Sequence, residues 1–589
     1  MESQQAKRFK PASPSQEISE KAEAAPENFQ DCFAQDFFSQ PIKEKFKSQY
    51  EASFPYKHCQ LHPIFNDQLL KDVRDEILTK LSFTQKETDI YNYDQTGDLA
   101  NLDGLPLHEK LELPKIRLLR DAVYSSEFRD FVSTVTGCGP LSGKKTDMSA
   151  NIYKDKSYLL LHDDVIEDRR VSFIIYLPTF EGEDWVPENG GSLELYPSIG
   201  NTNVPNISPS QTLPISWNRM AFFIVEPGHS FHAVEEVVAL SKDVRRISIQ
   251  GWFHVPQEGE IGYSKSVKDV SASPVSTLNQ IRSGDSLFPF IPVHDSSPVD
   301  DENKDKNENQ DKCKDKSTDE QTLQLSQEDK DYLRKFMNPE YLDEKIIVQT
   351  RDLFAEQSFI QLGKFINKNL EAEIKKLITE ADKYDGLGNH KVGKHGTAEC
   401  GRWRARGPSV IRRYLELDGP SGSNTENKGG FAHEELAESL SMIREELFCS
   451  AQFRKWIEYV TSVEIGGYRG SVRRFRPGLD YTLASPTGNT NPTIDANLSF
   501  TVADDPEQTK LWQSGEVGGY ECYITADEDD TQASVYKRAD NDEPLLTVPA
   551  GWNTLNLVYC EQDVLKFVKY LSASAPASRL DLFYEYQSI

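Results

Sequence analysis

His162 and Asp164 stand two residues apart at the end of the apolar run SYLLLHDD. Side chains two apart on a strand share a face, so an imidazole and a carboxylate there could both point at one metal ion. The comparable triplet His433-Glu434-Glu435 opens HEELAESLSMIREELF, whose apolar spacing is helical. Two residues apart on a helix face different ways, so that triplet cannot chelate. A third ligand must then come from a later strand. PGHSFHAVEEV offers His229 and His232, three apart, which cannot both face inward from one regular strand. His232 is preferred because it begins the extended stretch FHAVEEVV, whereas His229 beside Gly228 reads as part of a turn. Two imidazoles and one carboxylate cover one face of an iron(II) ion and leave three positions open. A chelating cosubstrate takes two of these and dioxygen the last, which is the arrangement an oxidative reaction needs.

Further along, RRISIQGWF places Arg246 and Ser248 on one face of a predicted strand. A guanidinium with a hydroxyl beside it suits a carboxylate at the closed end of a barrel, where two-pronged pairing is strong and lysine would serve less well. Arg245 faces the other way and is the solvated alternative.

These residues have to be positioned by strands. After Leu141, short Val/Ile/Phe/Tyr-rich runs separated by Gly, Pro and Asn (ANIYKD, SYLLLH, RVSFIIYLP, GGSLELYP, RMAFFIVEP, FHAVEEVV and RRISIQGWFHV) predict a small barrel or sandwich. Before it, FKSQYEA, NDQLLKDVRDEILTKL, KIRLLR and SEFRDFVSTV have helical periodicity. Residues 1–28 are polar and are expected to be disordered. Residues 261–328, which include ENKDKNENQDKCKDKSTDEQ, are expected to form a charged flexible linker. Residues 329–589 repeat the pattern of 29–260. SSEFRDFVSTVT matches CSAQFRKWIEYVT, NIYKDKSYLLLHDD matches RRFRPGLDYTLASP, VSFIIYLP matches LSFTVADD, NGGSLELY matches VGGYECYI, and RRISIQGWF matches SRLDLFYEY. Matches in one order at similar spacing point to one module used twice. Under this alignment Ala484 stands opposite His162, Pro486 opposite Asp164 and Phe567 opposite His232, so the second copy lacks all three candidate ligands. Arg579 matches Arg246, but Asp581 replaces Ser248 and would compete for the guanidinium. The second barrel then reads as a scaffold or partner surface, with the linker setting how far it swings.

The chain has 589 residues and a formal net charge of -28, which argues against a surface built to grip nucleic acid and favours a basic protein partner. Eight cysteines are scattered without C-x-x-C spacing, as expected for reduced thiols inside a cell. No apolar run is long enough for a membrane span, and the polar start is no secretory signal. The tetrapeptide KRFK at 7–10 is a weak candidate nuclear address.

The order H-x-D, a distal His on a late strand and then R-x-S resembles the 2-oxoglutarate- and Fe(II)-dependent oxygenases. The wider text, LLLHDD, RRVSFIIYLP, SFHAVEEV and RRISIQGWFH with a degenerate second copy, resembles the ribosomal-protein prolyl 3-hydroxylases of fungi and animals over nearly the whole chain. This resemblance implies a mainly β protein with flanking helices, built as two tandem double-stranded β-helix (jelly-roll) domains. The catalytic domain would span 29–260 and a non-catalytic one 329–589. It implies Fe(II) on His162, Asp164 and His232, and 2-oxoglutarate held by Arg246 and Ser248 with Tyr153 and Tyr176 lining its pocket. Ascorbate would be the reductant. The implied substrate is a proline of a small-subunit ribosomal protein, with consequences for translation termination and accuracy, and with translation-termination or regulatory proteins as further partners in nucleus and cytoplasm. The alternative is an oxygen-sensing binding protein that controls degradation of a transcription factor.

Overall fold

The structure, a computed structural model, describes residues 29–104, 106, 111–180, 184–239, 241–264, 273–283, 288–293, 324–420, 430–486, 488–525 and 544–589. The expected disordered segment 1–28 and the most charged part of the expected linker, 294–323, lie outside the described residues.

Four helices open the first half where periodicity predicts them: α1 (Gln40–Ala52), α2 (Asp67–Lys80), α3 (Pro114–Val123) and α4 (Ser126–Thr136). Their ends follow from local chemistry. The Asn66 side chain accepts from the Gln68 and Leu69 N–H groups at the start of α2, and Ser125 accepts from Phe128 N–H at the start of α4. Gly137, at φ 70°, closes α4 in the left-handed conformation. The apolar faces, including Val73, Ile77, Ile116, Leu119, Phe128 and Phe131, pack in one core with Phe173, Ile247 and Ile249 of the sheet.

Eleven strands follow or interleave: β1 (His58–Leu61), β2 (Thr84–Glu87), β3 (Tyr91–Gln95), β4 (Thr146–Tyr153), β5 (Tyr158–His162), β6 (Arg169–Tyr176), β7 (Leu193–Leu195), β8 (Gln211–Leu213), β9 (Arg219–Ile224), β10 (His232–Val234) and β11 (Arg246–His254). They pair in the order β1-β9-β6-β11-β4-β3-β5-β10-β7-β8, with β2 on β3. One layer is thus β9-β6-β11-β4 and the other β5-β10-β7-β8, with β3 bridging them, which is a double-stranded β-helix. Strands β1 to β3 are not anticipated by the sequence pattern. β2 is exposed at every position and β3 buries only Tyr93, so neither carries an alternating apolar signal.

The second half repeats this plan. Its strands are β13 (Phe359–Gly363), β14 (Trp403–Arg406), β15 (Arg412–Leu417), β16 (Ile465–Phe475), β17 (Tyr481–Thr482), β18 (Thr493–Thr501), β19 (Glu521–Thr525), β20 (Leu546–Val548), β21 (Thr554–Cys560), β22 (Val564–Val568) and β23 (Arg579–Ser588). They form a large sheet in the order β13-β21-β18-β23-β16-β15-β14, with β17 on β15, and a small sheet β20-β19-β22. Among the described residues no helix is long and apolar enough to cross a membrane.

Two expectations about the region between the barrels change. Parts of 261–328 are not a free linker. Helix α5 (Thr277–Ser283) starts with Thr277 N–H donating to the buried Asp163 carboxylate at 2.9 Å, and Ile281 is buried in the first barrel's core. Strand β12 (Ile291–Pro292) then pairs with β16 of the second barrel. Nor is the second barrel free to swing. Val410, Ile411, Tyr481, Leu483 and Tyr570 share one core with Tyr158, Leu159 and Leu161 of β5. Polar contacts ring that core: His395 lies 2.7 Å from Glu194, His390 3.1 Å from Asp155, and Glu236 accepts from Ala573 N–H at 2.7 Å and Tyr570 OH at 3.2 Å. Burying so much apolar surface between two halves fixes their relation, because any swing would expose it.

Candidate active site

β5 ends at His162 and β10 begins at His232, and the antiparallel register sets these two residues directly opposite each other. Their ring centroids are 4.1 Å apart. Asp164 reaches them by a different route from the one the sequence implies. It lies beyond the end of β5, and a left-handed backbone at φ 60° turns its carboxylate back, in place of a strand pleat. Ser172 on β6 then donates to Asp164 Oδ2 at 2.8 Å and steadies it.

The tautomers are set by geometry. His162 Nδ1 donates to the Leu160 carbonyl at 2.9 Å and His232 Nδ1 to the Ser230 carbonyl at 2.8 Å, since a carbonyl only accepts. Each Nε2 faces Asp164, at 3.5 Å for His162 and 3.4 Å for His232. One potential ligand atom from each of the three residues lies within 4.8 Å of the others, which is the size of a metal site. Burial alone would raise the Asp164 carboxyl, but the two imidazoles hold it well below the usual range. Burial would likewise lower His162, and Asp164 instead raises it. The cluster is therefore built to share one positive charge, and its donors fit iron(II). His229 is exposed in the turn, with its N–H bonded to the Glu226 carbonyl, and takes no part.

Arg246 is buried on β11. Its Nε donates to the Gly191 carbonyl at 2.8 Å and its Nη1 to Ser248 Oγ at 3.1 Å, while Nη2 is buried without a partner among the described residues. The guanidinium lies over Tyr153 at 4.6 Å and Tyr176 at 5.2 Å. The Tyr176 hydroxyl is also buried and makes no well-formed hydrogen bond, although it is close enough to Arg246 to feel its charge. A buried guanidinium edge and a buried hydroxyl left unsatisfied are costly unless a ligand meets them, and a carboxylate is the group that meets both. Arg245 is half-buried and donates through Nε to the Lys242 carbonyl.

Sequence reasoning missed three contributors. Asn151, opposite Ser248 on β4, is buried with both amide atoms unpartnered among the described residues, and its spacing of two from Tyr153 was the available signal. The Tyr56 hydroxyl is buried without a partner among the described residues, and its ring packs on Phe223, which in turn meets His232. Gly191 has φ 74°, and a Cβ there would stand 2.9 Å from Val237 and 3.0 Å from Arg246 Cδ, so only glycine lets its carbonyl reach the guanidinium.

The second barrel shows what became of the same positions. Arg579 pairs across from Phe475 and Asp581 from Arg473, as Arg246 does from Tyr153 and Ser248 from Asn151. Arg579 again donates to a glycine carbonyl, that of Gly519, but its Nη2 goes to Glu521 and Asp581, and its Nε is buried without a partner among the described residues. The register elsewhere corrects the alignment drawn from sequence. Lys566, not Phe567, occupies the His232 position, because it pairs with Tyr523 as His232 pairs with Leu195. Ser485, not Ala484, bridges to it as His162 does to His232. VSFIIYLP corresponds to IDANLSFT rather than LSFTVADD, which sets Asp495 at the Ser172 position. The β-rich text matched within one to four residues because apolar alternation does not fix register at strand ends. Lys566 Nζ sits 2.7 Å from Asp495 and 2.8 Å from Glu585.

Known proteins agree with this geometry. The 2OG-Fe(II) oxygenase superfamily model matches residues 148–254, and a model described as oxoglutarate and iron-dependent oxygenase degradation C-term matches 328–588. The prolyl 3,4-dihydroxylase OGFOD1 of Ostreococcus tauri is 34% identical over 91% of this chain and 95% of its own length. The prolyl 3-hydroxylases OGFOD1 of Xenopus laevis and Mus musculus are each 26% identical, over 90% and 88% of this chain and 85% of theirs. With both halves matched and the likeness running through nearly the whole length, the chain belongs to the OGFOD1 family of 2-oxoglutarate- and iron(II)-dependent oxygenases.

Proposed function

We propose that this oxygenase hydroxylates a prolyl residue at C3 in a loop of a small-subunit ribosomal protein, with His162, Asp164 and His232 as iron ligands and Arg246, Ser248, Tyr176 and Tyr153 around 2-oxoglutarate. The observation that carries the site is the pairing of three converging ligand atoms with a buried guanidinium whose Nη2 is unspent. Iron(II) and 2-oxoglutarate, when bound, supply with dioxygen the oxidant for an unactivated C–H bond, and succinate and carbon dioxide leave. The chain's own residues do the positioning. The Leu160 and Ser230 carbonyls fix both imidazoles, Ser172 fixes Asp164, and Arg246 orients the cosubstrate's distal carboxylate between two aromatic rings that keep water out.

The prolyl substrate is supported by what the relatives are named for, and the ribosomal one by the acid surplus of the chain, 94 acidic against 66 basic residues, which attracts a basic partner. Ascorbate serves as reductant, and the nucleus and cytoplasm, where ribosomal proteins are made and assembled, are the working compartments. The full-length protein, given iron(II), 2-oxoglutarate, ascorbate and peptides from small-subunit ribosomal proteins, should add oxygen to one proline by mass spectrometry, and Asp164→Ala should not. Cosubstrate turnover without oxygen on any ribosomal peptide would remove the substrate assignment and leave the enzyme class standing.

A second reading, regulation of a partner's degradation in response to oxygen, is favoured by the intact second barrel and by the description of the model that matches it. Partner binding that persists in His162→Ala would support that role beside catalysis.

A further inference from the structure

The ion pairs of the second barrel do not fill it. A cavity of about 110 Å³ lies among Arg412, Tyr414, Arg469, Arg473, Lys566 and Phe583. Arg469, Arg473 and Lys566 reach its wall together with Glu521 and Glu585, and Arg473 and Lys566 are also paired with Asp581 and Asp495.

Most charged groups of this wall are paired with one another, and one buried hydroxyl is not. Glu585 is taken up by Arg469 at 2.5 Å and Lys566 at 2.8 Å, and Glu521 by Arg579 and Asn497. Arg473 gives Nε and Nη2 to the two oxygens of Asp581, at 2.7 and 2.8 Å, which commits one edge of its guanidinium and leaves Nη1 over. The Tyr414 hydroxyl is fully buried and has no partner among the described residues. The carboxylates named here are spent, and a buried hydroxyl donor without an acceptor is a standing cost. The rest of the wall is ring and hydrocarbon, with the Arg473 guanidinium 4.4 Å from the Phe583 ring and Ile411 and Leu483 closing one side. A ligand that completes this set has a carboxylate at one end and an apolar body behind it.

We propose that the second barrel is a binding site for a small carboxylate with an aromatic or aliphatic body, held by Arg473 and the Tyr414 hydroxyl. Such an occupant is bound and not turned over, because Lys566 and Ser485 stand where the first barrel has its two histidines. Ile411 and Leu483 belong both to this cavity and to the core shared with β5, so the occupant lies against the wall of the catalytic barrel.

The test is calorimetric titration of the full-length protein with benzoate, hexanoate and succinate, and with inorganic phosphate as a second kind of anion, at fixed ionic strength. At least one of the monocarboxylates should bind once per chain. That binding should survive Arg246→Gln, which disables the first barrel's carboxylate anchor, and should weaken by about fivefold or more in Tyr414→Phe, the loss expected for one buried hydrogen bond. Tyr414→Phe removes an oxygen that no other residue uses, so its thermal midpoint should not fall, and Arg473→Gln should abolish binding. Absence of binding by all three carboxylates, binding by phosphate alone, or binding lost in Arg246→Gln but unchanged in Tyr414→Phe would each overturn the proposal.

Discussion

Replacing Arg246 by lysine keeps a positive charge on β11 and removes the fork, which isolates what the guanidinium geometry contributes. In the wild-type protein one nitrogen is spent on Gly191, a second on Ser248, and Nη2 remains for a ligand, with the plane held over Tyr153 and Tyr176. An ammonium on a flexible stem cannot reproduce two fixed protein contacts and also present a planar edge to a carboxylate. The loss is at least one charge-assisted hydrogen bond, about 1.5 to 3 kcal/mol, which corresponds to roughly a tenfold to hundredfold rise in the 2-oxoglutarate concentration needed for half-maximal rate. The rate at saturating cosubstrate should change much less, because Arg246 contacts no reacting atom. Succinate release measured against 2-oxoglutarate concentration reads both quantities. Arg245→Lys is the matched control and should be nearly silent, since that side chain is half-exposed and among the described residues donates to the Lys242 carbonyl alone. A shift below about threefold in Arg246→Lys, or a larger one in Arg245→Lys, would refute the anchor, because even the weakest charge-assisted hydrogen bond is worth more than that.

Alanine at His162, Asp164 or His232 should abolish 2-oxoglutarate turnover and stoichiometric iron(II) binding while leaving the circular dichroism unchanged, and His229→Ala should retain both; the reverse ranking of the two later histidines would move the ligand. Gly191→Ala should raise the 2-oxoglutarate requirement by about tenfold or more, because its Cβ meets Val237 and Arg246 at about 3 Å from a left-handed backbone; an unchanged requirement would show that the loop yields. Burial pulls the His433 imidazole down, but Asp385 at 2.9 Å more than offsets it and His433 is pushed up to about 9. A folded value above the unfolded one means that the pair's stabilisation is complete below about pH 6.5 and is lost as pH rises through about 9, so the melting temperature should fall between pH 7 and 10 more in the wild type than in His433→Gln.

What was legible in the sequence was whatever period and residue type encode together. The four opening helices carry an apolar stripe, two of them behind a capping side chain and two behind a proline in the first turn, and the buried strands β4, β5, β6 and β11 carry Val, Ile, Leu and Tyr in runs; both kinds were found. The choice of His232 over His229 followed from strand geometry, and the buried and exposed positions of the two rings agree with it. Register at strand ends was not legible. The second barrel's Lys566 and Ser485 were missed by one residue because an alternating pattern shifted by one still reads as a strand, and only the cross-strand partners tell the two apart. The docking of α5 on Asp163 was hidden too, since it is made by a backbone N–H that every residue possesses.

The two barrels differ less in shape than in where their counter-charges come from. In the first, Ser172 beside Asp164 contributes only a hydroxyl, the His232 position carries an imidazole, and Ser248 beside Arg246 is neutral, so the Asp164 end lacks a fixed cation and the Arg246 end a fixed anion. In the second, the Ser172 position is Asp495, the His232 position is Lys566 and the Ser248 position is Asp581, and each charge finds its opposite inside the chain at 2.7 to 2.9 Å. Lys566 is held in its charged form by Asp495 and Glu585 against the pull of burial. Breaking such a pair would leave an uncompensated buried charge, a cost of about 3 to 5 kcal/mol that binding of iron or 2-oxoglutarate there would have to offset. Three substitutions toward charge thus convert a site that must recruit its ions into one that carries them, while the sheet register that made the first site possible is kept.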